Sequence, residues 1–254
     1  MRRELDLLIC AIQFLTRLPT PALPQFEAAW ISHSARYFPL VGQLVGAISG
    51  GIMLLAAKVW PLPIAAALAV TVAILVTGAF HEDGLADTAD GLGGGHDAAS
   101  RLAIMKDSRI GTFGALALVL SLILKIAALS TIPLPIAVGL LVFGHGAARF
   151  AAVIPMALLP YVGDPTQAKV KPTPDRVGWE EVAIAAMLVL WPLAFVATVP
   201  AVLGATCGII FAKPLALTAR RLVGGQTGDI LGGVEQLFEL GFMLGAAAAV
   251  HNVR

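Results

Sequence analysis

The residues best suited to chemistry lie in one polar stretch, His81 to Gly114, between two long apolar segments. This stretch holds six of the chain's 16 carboxylates. If its first half is helical, Asp83, Asp87 and Asp90 lie at positions i, i+4 and i+7, so their side chains share one helix face. Carboxylates crowded on one face repel one another unless a cation lies between them, and Mg²⁺ takes oxygen ligands of this kind. The spacing therefore predicts a magnesium site with these three aspartates as metal ligands.

Basic residues follow the acidic face within the same stretch. Lys106 and Arg109 flank Asp107, and five glycines lie among the acids. Glycines allow a ligand to approach the backbone closely. Metal-binding acids beside phosphate-binding bases are the combination that phosphoryl transfer requires. Taken alone, an acidic helix face is more often simply solvated, but this one belongs to a chain with few charges.

The composition identifies the environment in which this stretch must work. Of 254 residues, 58% are hydrophobic and 13% are charged, whereas a soluble domain carries about 25% charged residues. The chain is therefore predicted to be a polytopic membrane protein in contact with the lipid bilayer. A net charge of +1 indicates no nucleic-acid binding. Cys10 and Cys207 fit no metal or redox spacing and are predicted to be reduced packing residues.

The apolar segments predict an all-α, integral membrane helix bundle of about six or seven transmembrane helices, preceded by an amphipathic N-terminal helix. Apolar residues recur at helical spacing between Leu5 and Leu15, which predicts a helix at the membrane interface or against the bundle. The predicted spans are Pro39–Trp60, Leu62–Phe80, Thr112–Ile132, Pro133–Ile154, Val182–Val199, Pro200–Leu217 and Val234–Val250. Residues 1–254 are assigned to a single membrane domain, with active-site loops at about 81–111 and 219–233.

The first predicted span carries two consecutive GxxxG steps, formed by Gly42, Gly46 and Gly50. Small residues four positions apart let a neighbouring helix approach closely. Glycine is also common in membrane helices generally, so the pattern is equally compatible with no special role. In the sixth span, Lys213 and Pro214 interrupt the apolar run, which allows one of the last segments to be re-entrant.

Three basic residues lie inside predicted spans. Lys125 is costly in the bilayer unless it is paired, and it suits a structural partner as well as a substrate contact. His145 and Arg149 lie at i and i+4 on one helix face, so they could reach the same anion. Arg149 is the stronger candidate for a substrate contact.

The second polar loop, Ala219–Gly233, places Asp229 at the mouth of the last span. Asp229 could supply a further metal ligand or a hydrogen bond to a substrate. A helix N-cap formed by Thr227 or Asp229 explains the same residues equally well. Glu235 and Glu239 follow at i, i+4 spacing in the last span.

Lysine and arginine are distributed unevenly between the two sides of the predicted bundle. With seven alternating spans, 13 of the 17 Lys and Arg residues fall on the side of the N-terminus, and only Lys58 and Arg254 fall on the other. This asymmetry predicts a multi-pass protein of the cell (inner) membrane whose N-terminus and active-site loops are cytoplasmic. Both glycine-rich loops then face one compartment, as a composite active site requires.

Several motifs together resemble the cobalamin synthase family, the adenosylcobinamide-GDP ribazoletransferases. The two most specific are HEDGLADTADGLGGG at His81–Gly95 and MKDSRIGTFGALALVL at Met105–Leu120. Further matches are FLTRLP at Phe14–Pro19, RYFPLVG at Arg36–Gly42, GHGAARF at Gly144–Phe150 and TGDILGG at Thr227–Gly233. The resemblance covers essentially the whole chain.

The resemblance implies a reaction that joins the two halves of the vitamin B12 coenzyme at the membrane. The corrinoid nucleotide adenosylcobinamide-GDP would donate its cobinamide-phosphoryl group to a ribose hydroxyl of α-ribazole or α-ribazole 5′-phosphate. GMP would leave, and adenosylcobalamin or its 5′-phosphate would form. Mg²⁺ is the implied cofactor. The oligomeric state stays open, which leaves room for a homo-oligomer.

This chemistry gives expected roles to the residues of the polar loops. His81, Asp83 and Asp87 form the expected catalytic set, in which His81 or one aspartate takes the proton from the attacking hydroxyl. Asp107 is expected to pair with Lys106 or Arg109 rather than to bind metal. The expected substrate-binding residues are Lys106, Asp107, Arg109, Arg149 and Asp229.

Other classes of function compete with this one. A CDP-alcohol-type lipid phosphotransferase normally follows its Asp-Gly step with Ala-Arg, whereas here Ala86 precedes Asp87. An aspartate-rich prenyltransferase would need a second acidic motif stronger than the TGD of the last loop. A transporter tends to place its binding residues near the bilayer midplane and to show internal repeats, and the sequence shows no repeat.

Overall fold

The computed structural model describes residues 2–23, 29–163 and 176–252. Its helices are α1 (Arg2–Leu15), α2 (Ala29–Ser34), α3 (Phe38–Ala56), α4 (Leu62–Thr77), α5 (Phe80–Gly94), α6 (Ala98–Met105), α7 (Thr112–Thr131), α8 (Leu134–Leu158), α9 (Trp179–Leu190), α10 (Thr198–Val223) and α11 (Gly228–Asn252). Within the described ranges there is no β-strand, only an isolated backbone pairing of Tyr161 with Gln226. Lys169 and Lys171, counted in the predicted orientation, lie outside these ranges.

The predicted membrane helix bundle is confirmed. Among the described residues, five helical segments are long and apolar enough to cross a membrane: Ala29–Ala56, which joins α2 and α3, and the helices α7, α8, α10 and α11. A sixth candidate is formed by α4 and α5 together, which meet at an angle of 89°. Five or six such segments therefore replace the upper estimate of seven.

The fifth predicted span, Val182–Val199, is wrong as a continuous helix. The α-helix α9 ends at Leu190, and a short 3-10 segment, Trp191–Ala194, follows it. Pro192 lies in this segment and has no amide hydrogen to donate to the carbonyl four residues earlier, that of Leu188. The Gln43 side chain donates to the Leu188 carbonyl instead, at 2.7 Å. A side chain of α3 thus satisfies the backbone where α9 stops.

In α10, by contrast, an internal proline does not end the helix. Lys213 and Pro214 were expected to interrupt this segment, yet α10 runs continuously from Thr198 to Val223 with Pro214 inside it. Membrane helices tolerate internal proline because neighbouring groups satisfy the freed backbone carbonyl. The prediction of a break at Lys213 and Pro214 is therefore wrong.

The glycines of the two GxxxG steps place the backbones of α3 and α8 in direct contact. A methyl group on Gly42 would lie 2.6 Å from the Cδ atom of Arg149, and one on Gly46 would lie 2.7 Å from the carbonyl carbon of Leu141. Gly50 faces Val138 less closely, at 3.1 Å from its Cγ1 atom. The close helix packing that the spacing indicated is confirmed.

We expect the substitution Gly46→Ala to destabilise the bundle, because its methyl group would meet backbone atoms of α8 that cannot rotate away. Overpacking of this kind costs about 1–3 kcal/mol. Gly51→Ala is the matched control, since nothing lies within 4 Å of a methyl group added to this residue of α3. Thermal unfolding in detergent should show a lower midpoint for Gly46→Ala alone. Equal midpoints for both variants would contradict the close contact of α3 with α8.

The sharp bend between α4 and α5 rests on two residues in the left-handed region, Gly78 at φ 67° and Ala79 at φ 58°. Such a φ is unusual for a residue with a side chain, so Ala79 stores backbone strain. The end of α1 packs on this bend: the Arg17 amide donates to the Val76 carbonyl at 2.7 Å. The bend therefore fixes the start of the polar helix α5 next to the end of α1.

The last two long helices, α10 and α11, also pack through glycines. A methyl group on Gly245 would lie 2.7 Å from the Cβ atom of Cys207, and one on Gly241 would lie 2.6 Å from the Cys207 carbonyl oxygen. Both Cys10 and Cys207 are free thiols. Their predicted packing role is confirmed, since Cys10 is buried and Cys207 lies against α11.

Candidate active site

A cavity of about 470 Å³ lies where the two polar loops meet the ends of several helices. Its walls come from the ends of α1 and α8, the starts of α3, α5 and α11, and α6 with the residues that follow it. Cavities of this size enclose small organic ligands. The structure thus brings the two polar stretches that the sequence singled out to one place. Both were predicted as loops, but they are largely helical, in α5, α6 and the adjoining ends of α10 and α11.

Four carboxylates line this cavity. Asp107 follows α6, and the other three are Asp83 and Asp87 of α5 and Asp229 in the first turn of α11. The two helices cross at glycines, because a methyl group on Gly84 would lie 2.7 Å from the Asp229 carbonyl oxygen and 3.1 Å from the Cα atom of Gly232. Only residues without side chains allow this approach. The close crossing is what places Asp229 beside the carboxylates of α5.

The N-cap of α11 belongs to Thr227 rather than to Asp229. The Thr227 hydroxyl oxygen accepts a hydrogen bond from the Ile230 amide at 3.3 Å, and α11 begins at Gly228. A hydroxyl in this position satisfies one of the unpaired amides at a helix start. The capping role considered for Asp229 is therefore filled by its neighbour, and Asp229 lies in the cavity wall.

Asp90 lies apart from the other two aspartates of α5. It is buried, it does not line the cavity, and both of its carboxylate oxygens accept backbone hydrogen bonds. The donors are the amides of Gly111, at 2.7 Å, and Gly114, at 2.9 Å. These amides belong to the start of α7, where helix donors have no partner within the helix. Asp90 therefore joins α5 to α7. It does not lie in the position expected for a metal ligand beside Asp83 and Asp87.

We expect Asp90→Ala to destabilise the protein by about 1–3 kcal/mol, because it leaves buried amides without an acceptor. Asp90→Asn keeps one carbonyl oxygen and should lose less. Thermal unfolding in detergent measures both variants. The exposed Glu180→Gln variant serves as the control for removing a carboxylate from a helix end. A wild-type melting temperature for Asp90→Ala would refute the role of this residue in joining the two helices.

The basic arm divides between the cavity and solvent. Lys106 and Asp107 line the cavity, whereas the side chain of Arg109 is 86% exposed and is not among the lining residues. Arg109 Nη2 lies 2.5 Å from Asp107 Oδ2, which is the expected ion pair. Hydrogen bonds from Arg109 lower the pKa of Asp107 to about 2. Asp107 is therefore a carboxylate at neutral pH. Arg109 does not line the cavity itself and is linked to it by its ion pair with Asp107.

His81 lies in the first turn of α5, with 4% of its surface exposed, and it lines the cavity. The ring of Phe80 packs against it edge to face, with centroids 5.2 Å apart. Its Nδ1 atom makes no hydrogen bond to any described residue, and Glu235 Oε2 lies 4.0 Å away. An imidazole at a cavity wall with a carboxylate behind it suits proton transfer.

A cluster of buried charges lies beneath the cavity. Arg149 Nη1 is 2.6 Å from both Glu235 Oε1 and Glu239 Oε1. The Lys125 ammonium donates to Glu239 Oε2 at 2.8 Å and to the Gln236 side chain at 2.6 Å. Glu239 also contacts His145. Glu239 thus binds three basic side chains, each from α7 or α8, inside the bundle.

This buried charge cluster connects with the cavity through Arg149. Arg149 lines the large cavity and also a small one of about 20 Å³, whose walls include Lys125 and Glu239. Lys125 lines the small cavity but not the large one. The geometry therefore supports a structural role for this lysine and not a substrate contact. The i, i+4 spacing of Glu235 and Glu239 within an apolar span was the sequence signal for the cluster. The spacing did not predict which basic residues these two glutamates contact.

The acidic residues of the cavity can accommodate Mg²⁺. In the described ranges, no group of three or more His, Cys, Asp or Glu side chains is placed to bind a metal ion. Mg²⁺ is, however, commonly held by one or two carboxylates together with phosphate oxygens and water. Asp83 and Asp87, which lie one helical turn apart on the cavity side of α5, match that donor set. The residues present therefore fit a magnesium ion that the substrate helps to bind.

Comparisons with known proteins identify the family of this chain. The family model described as cobalamin-5-phosphate synthase matches residues 7–247. An adenosylcobinamide-GDP ribazoletransferase of Leptothrix cholodnii is 42% identical and covers 97% of each chain. Enzymes with the same name from Ralstonia pickettii (40% identical, 98% of this chain and 97% of the relative) and Shewanella amazonensis (38%, 94% of each) are also similar. No solved structure is significantly similar. The chain therefore belongs to the cobalamin-5-phosphate synthase family.

Proposed function

We propose that this enzyme joins adenosylcobinamide-GDP to α-ribazole or α-ribazole 5′-phosphate, with release of GMP. The observation that carries the proposal is the single cavity in which Asp83, Asp87, Lys106 and Arg149 meet His81. Acids for a metal, bases for phosphate and a group able to accept a proton are the parts that phosphoryl transfer requires. Family membership favours this reaction over a CDP-alcohol-type lipid phosphotransferase or a transporter.

In the proposed reaction, a ribose hydroxyl of the acceptor forms a bond to the phosphorus that carries cobinamide. The bond from that phosphorus to the bridging oxygen breaks, and GMP leaves with this oxygen. His81 accepts the hydroxyl proton, because its imidazole lies in the cavity wall. Lys106 and Arg149 bind oxygens of the diphosphate and oppose the negative charge that develops on them.

Asp83 and Asp87 would hold Mg²⁺, with Asp229 close by on α11. When bound, Mg²⁺ neutralises charge on phosphate oxygens. Glu235 and Glu239 keep the Arg149 guanidinium in place from the side away from the cavity. Since Arg149 loses little freedom when substrate binds, its hydrogen bonds to phosphate cost less entropy.

The proposal also places the reaction at the cytoplasmic face of the cell membrane, because Lys106, Arg109, Arg220 and Arg221 lie in or beside the segments that adjoin the cavity. The ends of α8 and α10 and the starts of α7 and α11 adjoin the cavity or its loops. The soluble substrates would then reach the site from the compartment where nucleotides are made.

The experiment is GMP release from adenosylcobinamide-GDP by membranes that contain the protein. The reaction is run with and without α-ribazole 5′-phosphate, and with Mg²⁺ or EDTA. We expect release that needs both the acceptor and Mg²⁺, together with formation of the corrinoid product. Release without acceptor would instead indicate a hydrolase, and release unaffected by EDTA would contradict the role assigned to Asp83 and Asp87.

A further inference from the structure

Three phenylalanine rings form a continuous aromatic wall on one side of the cavity. Phe14 stacks on Phe38, with centroids 5.7 Å apart and an angle of 21° between the planes. Phe80 meets Phe14 edge to face, with centroids 5.3 Å apart. All three rings line the cavity. They come from α1, α3 and α5, so only the folded chain brings them together.

The residues around this aromatic wall are apolar as well. Phe14, Phe38 and Phe80 belong to one hydrophobic cluster, which is separate from the main core of the bundle. The other cavity-lining members of that cluster are Leu15, Met156 and Leu231. This end of the cavity therefore suits a flat ring with few hydrogen-bonding groups.

The functional groups of α5 follow the aromatic wall in a definite order. Phe80 belongs to the wall, His81 is next, and Asp83 and Asp87 lie one and two turns further along. With a rise of about 1.5 Å per residue, the distance from Phe80 to Asp87 along the helix axis is about 10 Å. An acceptor lying along α5 would thus have its apolar ring at the wall and its attacking hydroxyl at His81. The reacting phosphorus of the donor would then lie near the aspartates.

We propose that the aromatic wall is the binding site for the base of the acceptor, the 5,6-dimethylbenzimidazole ring of α-ribazole. This inference rests on the proposed function and adds the location of one substrate. The ring is flat and carries methyl groups, so it gains from aromatic contact and burial. Its ribose follows towards His81, where the attacking hydroxyl must meet the group that takes its proton.

The guanine of the donor fits the aromatic wall poorly. Guanine carries several hydrogen-bond donors and acceptors, and burial without partners is costly for each of them. Discrimination is strongest where polar groups would be left unpaired. Guanine is therefore assigned to the polar part of the cavity, which is lined by Ser108, Gln226 and Thr227. The corrin macrocycle is much larger than a nucleotide, so it stays outside this cavity of about 470 Å³.

The test is the substitution Phe14→Leu, which keeps an apolar side chain but removes the ring. Because the variant loses the aromatic contact with the base, KM for α-ribazole 5′-phosphate should rise about tenfold. KM for adenosylcobinamide-GDP should stay at the wild-type value, which also shows that the variant is folded. Phe38→Leu should give the same pattern. Phe211→Leu, on the outer surface of α10, is the matched control.

Equilibrium dialysis of labelled α-ribazole 5′-phosphate, without donor, separates this proposal from the proposed function. Binding that weakens about tenfold in Phe14→Leu supports the acceptor site even if wild-type membranes release no GMP. A higher KM for the donor alone, an equal rise for both substrates, or no change in either would each overturn the assignment of the wall to the acceptor base.

Discussion

Asp83→Asn is expected to lower the rate of GMP release by at least about a hundredfold, the usual cost of removing one electrostatic group from a transition state. Asparagine has the same shape as aspartate but no charge, so it weakens binding of Mg²⁺ and leaves the charge on the diphosphate less neutralised. Asp87→Asn should have an effect of the same order, because both residues line the cavity from one side of α5.

The measurement compares initial rates of GMP release at saturating substrates, over a range of Mg²⁺ concentrations. Excess Mg²⁺ should recover part of the activity if the lost carboxylate was a metal ligand. Asp6→Asn is the matched control, since it makes the same chemical change on α1 away from the cavity lining. Asp90→Asn gives a second comparison, because it should act on stability. A rate near wild type for Asp83→Asn would exclude the magnesium site proposed at this residue.

Glu239→Gln is expected to destabilise the protein by about 3–5 kcal/mol, which is the cost of breaking a buried ion pair by removing one partner. Glu239 is buried and contacts Lys125, His145 and Arg149. Without its charge, Lys125 keeps only the neutral Gln236 side chain as a hydrogen-bond partner among the described contacts. A buried ammonium that loses the carboxylate bonded to it is the costly state.

Thermal unfolding in detergent tests this expectation, and a second substitution makes the test specific. Lys125→Met removes the cation together with its need for a partner, so the double variant should recover part of the stability that Glu239→Gln loses. Glu180→Gln, an exposed position of α9, controls for the substitution itself. If the losses of the two single variants simply add, Lys125 and Glu239 are not coupled and the buried charge cluster is not a unit.

Much of the fold follows from the sequence because its causes are local. Apolar runs of sufficient length must be helical in a bilayer, since no other single segment satisfies its own backbone groups there. The extended apolar runs therefore predicted the long helices α3, α7 and α8 nearly to their ends. The last helix, α11, begins at Gly228, earlier than the predicted Val234. The glycine spacing of α3 predicted its close contact with another helix. The spacing did not reveal that the partner is α8.

The errors occurred where a distant residue decides what the backbone does. Pro192 ends α9 while Pro214 stays within α10, although both are prolines in apolar surroundings. At Pro192, the Gln43 side chain of α3 donates a hydrogen bond to the Leu188 carbonyl, which Pro192 leaves without a donor from its own helix. Propensity alone cannot distinguish these cases, because the compensating group is remote in sequence.

The sequence by itself determined which residues were available for chemistry, and the tertiary structure decided how they are grouped. Asp83, Asp87 and Asp90 share one helix face by spacing alone, yet Asp90 faces the start of α7 and the other two face the cavity. Helical periodicity fixes the direction of a side chain but not the neighbour that it meets. The aromatic wall and the buried charge cluster join residues from several helices, so they exist only after packing has brought those helices together.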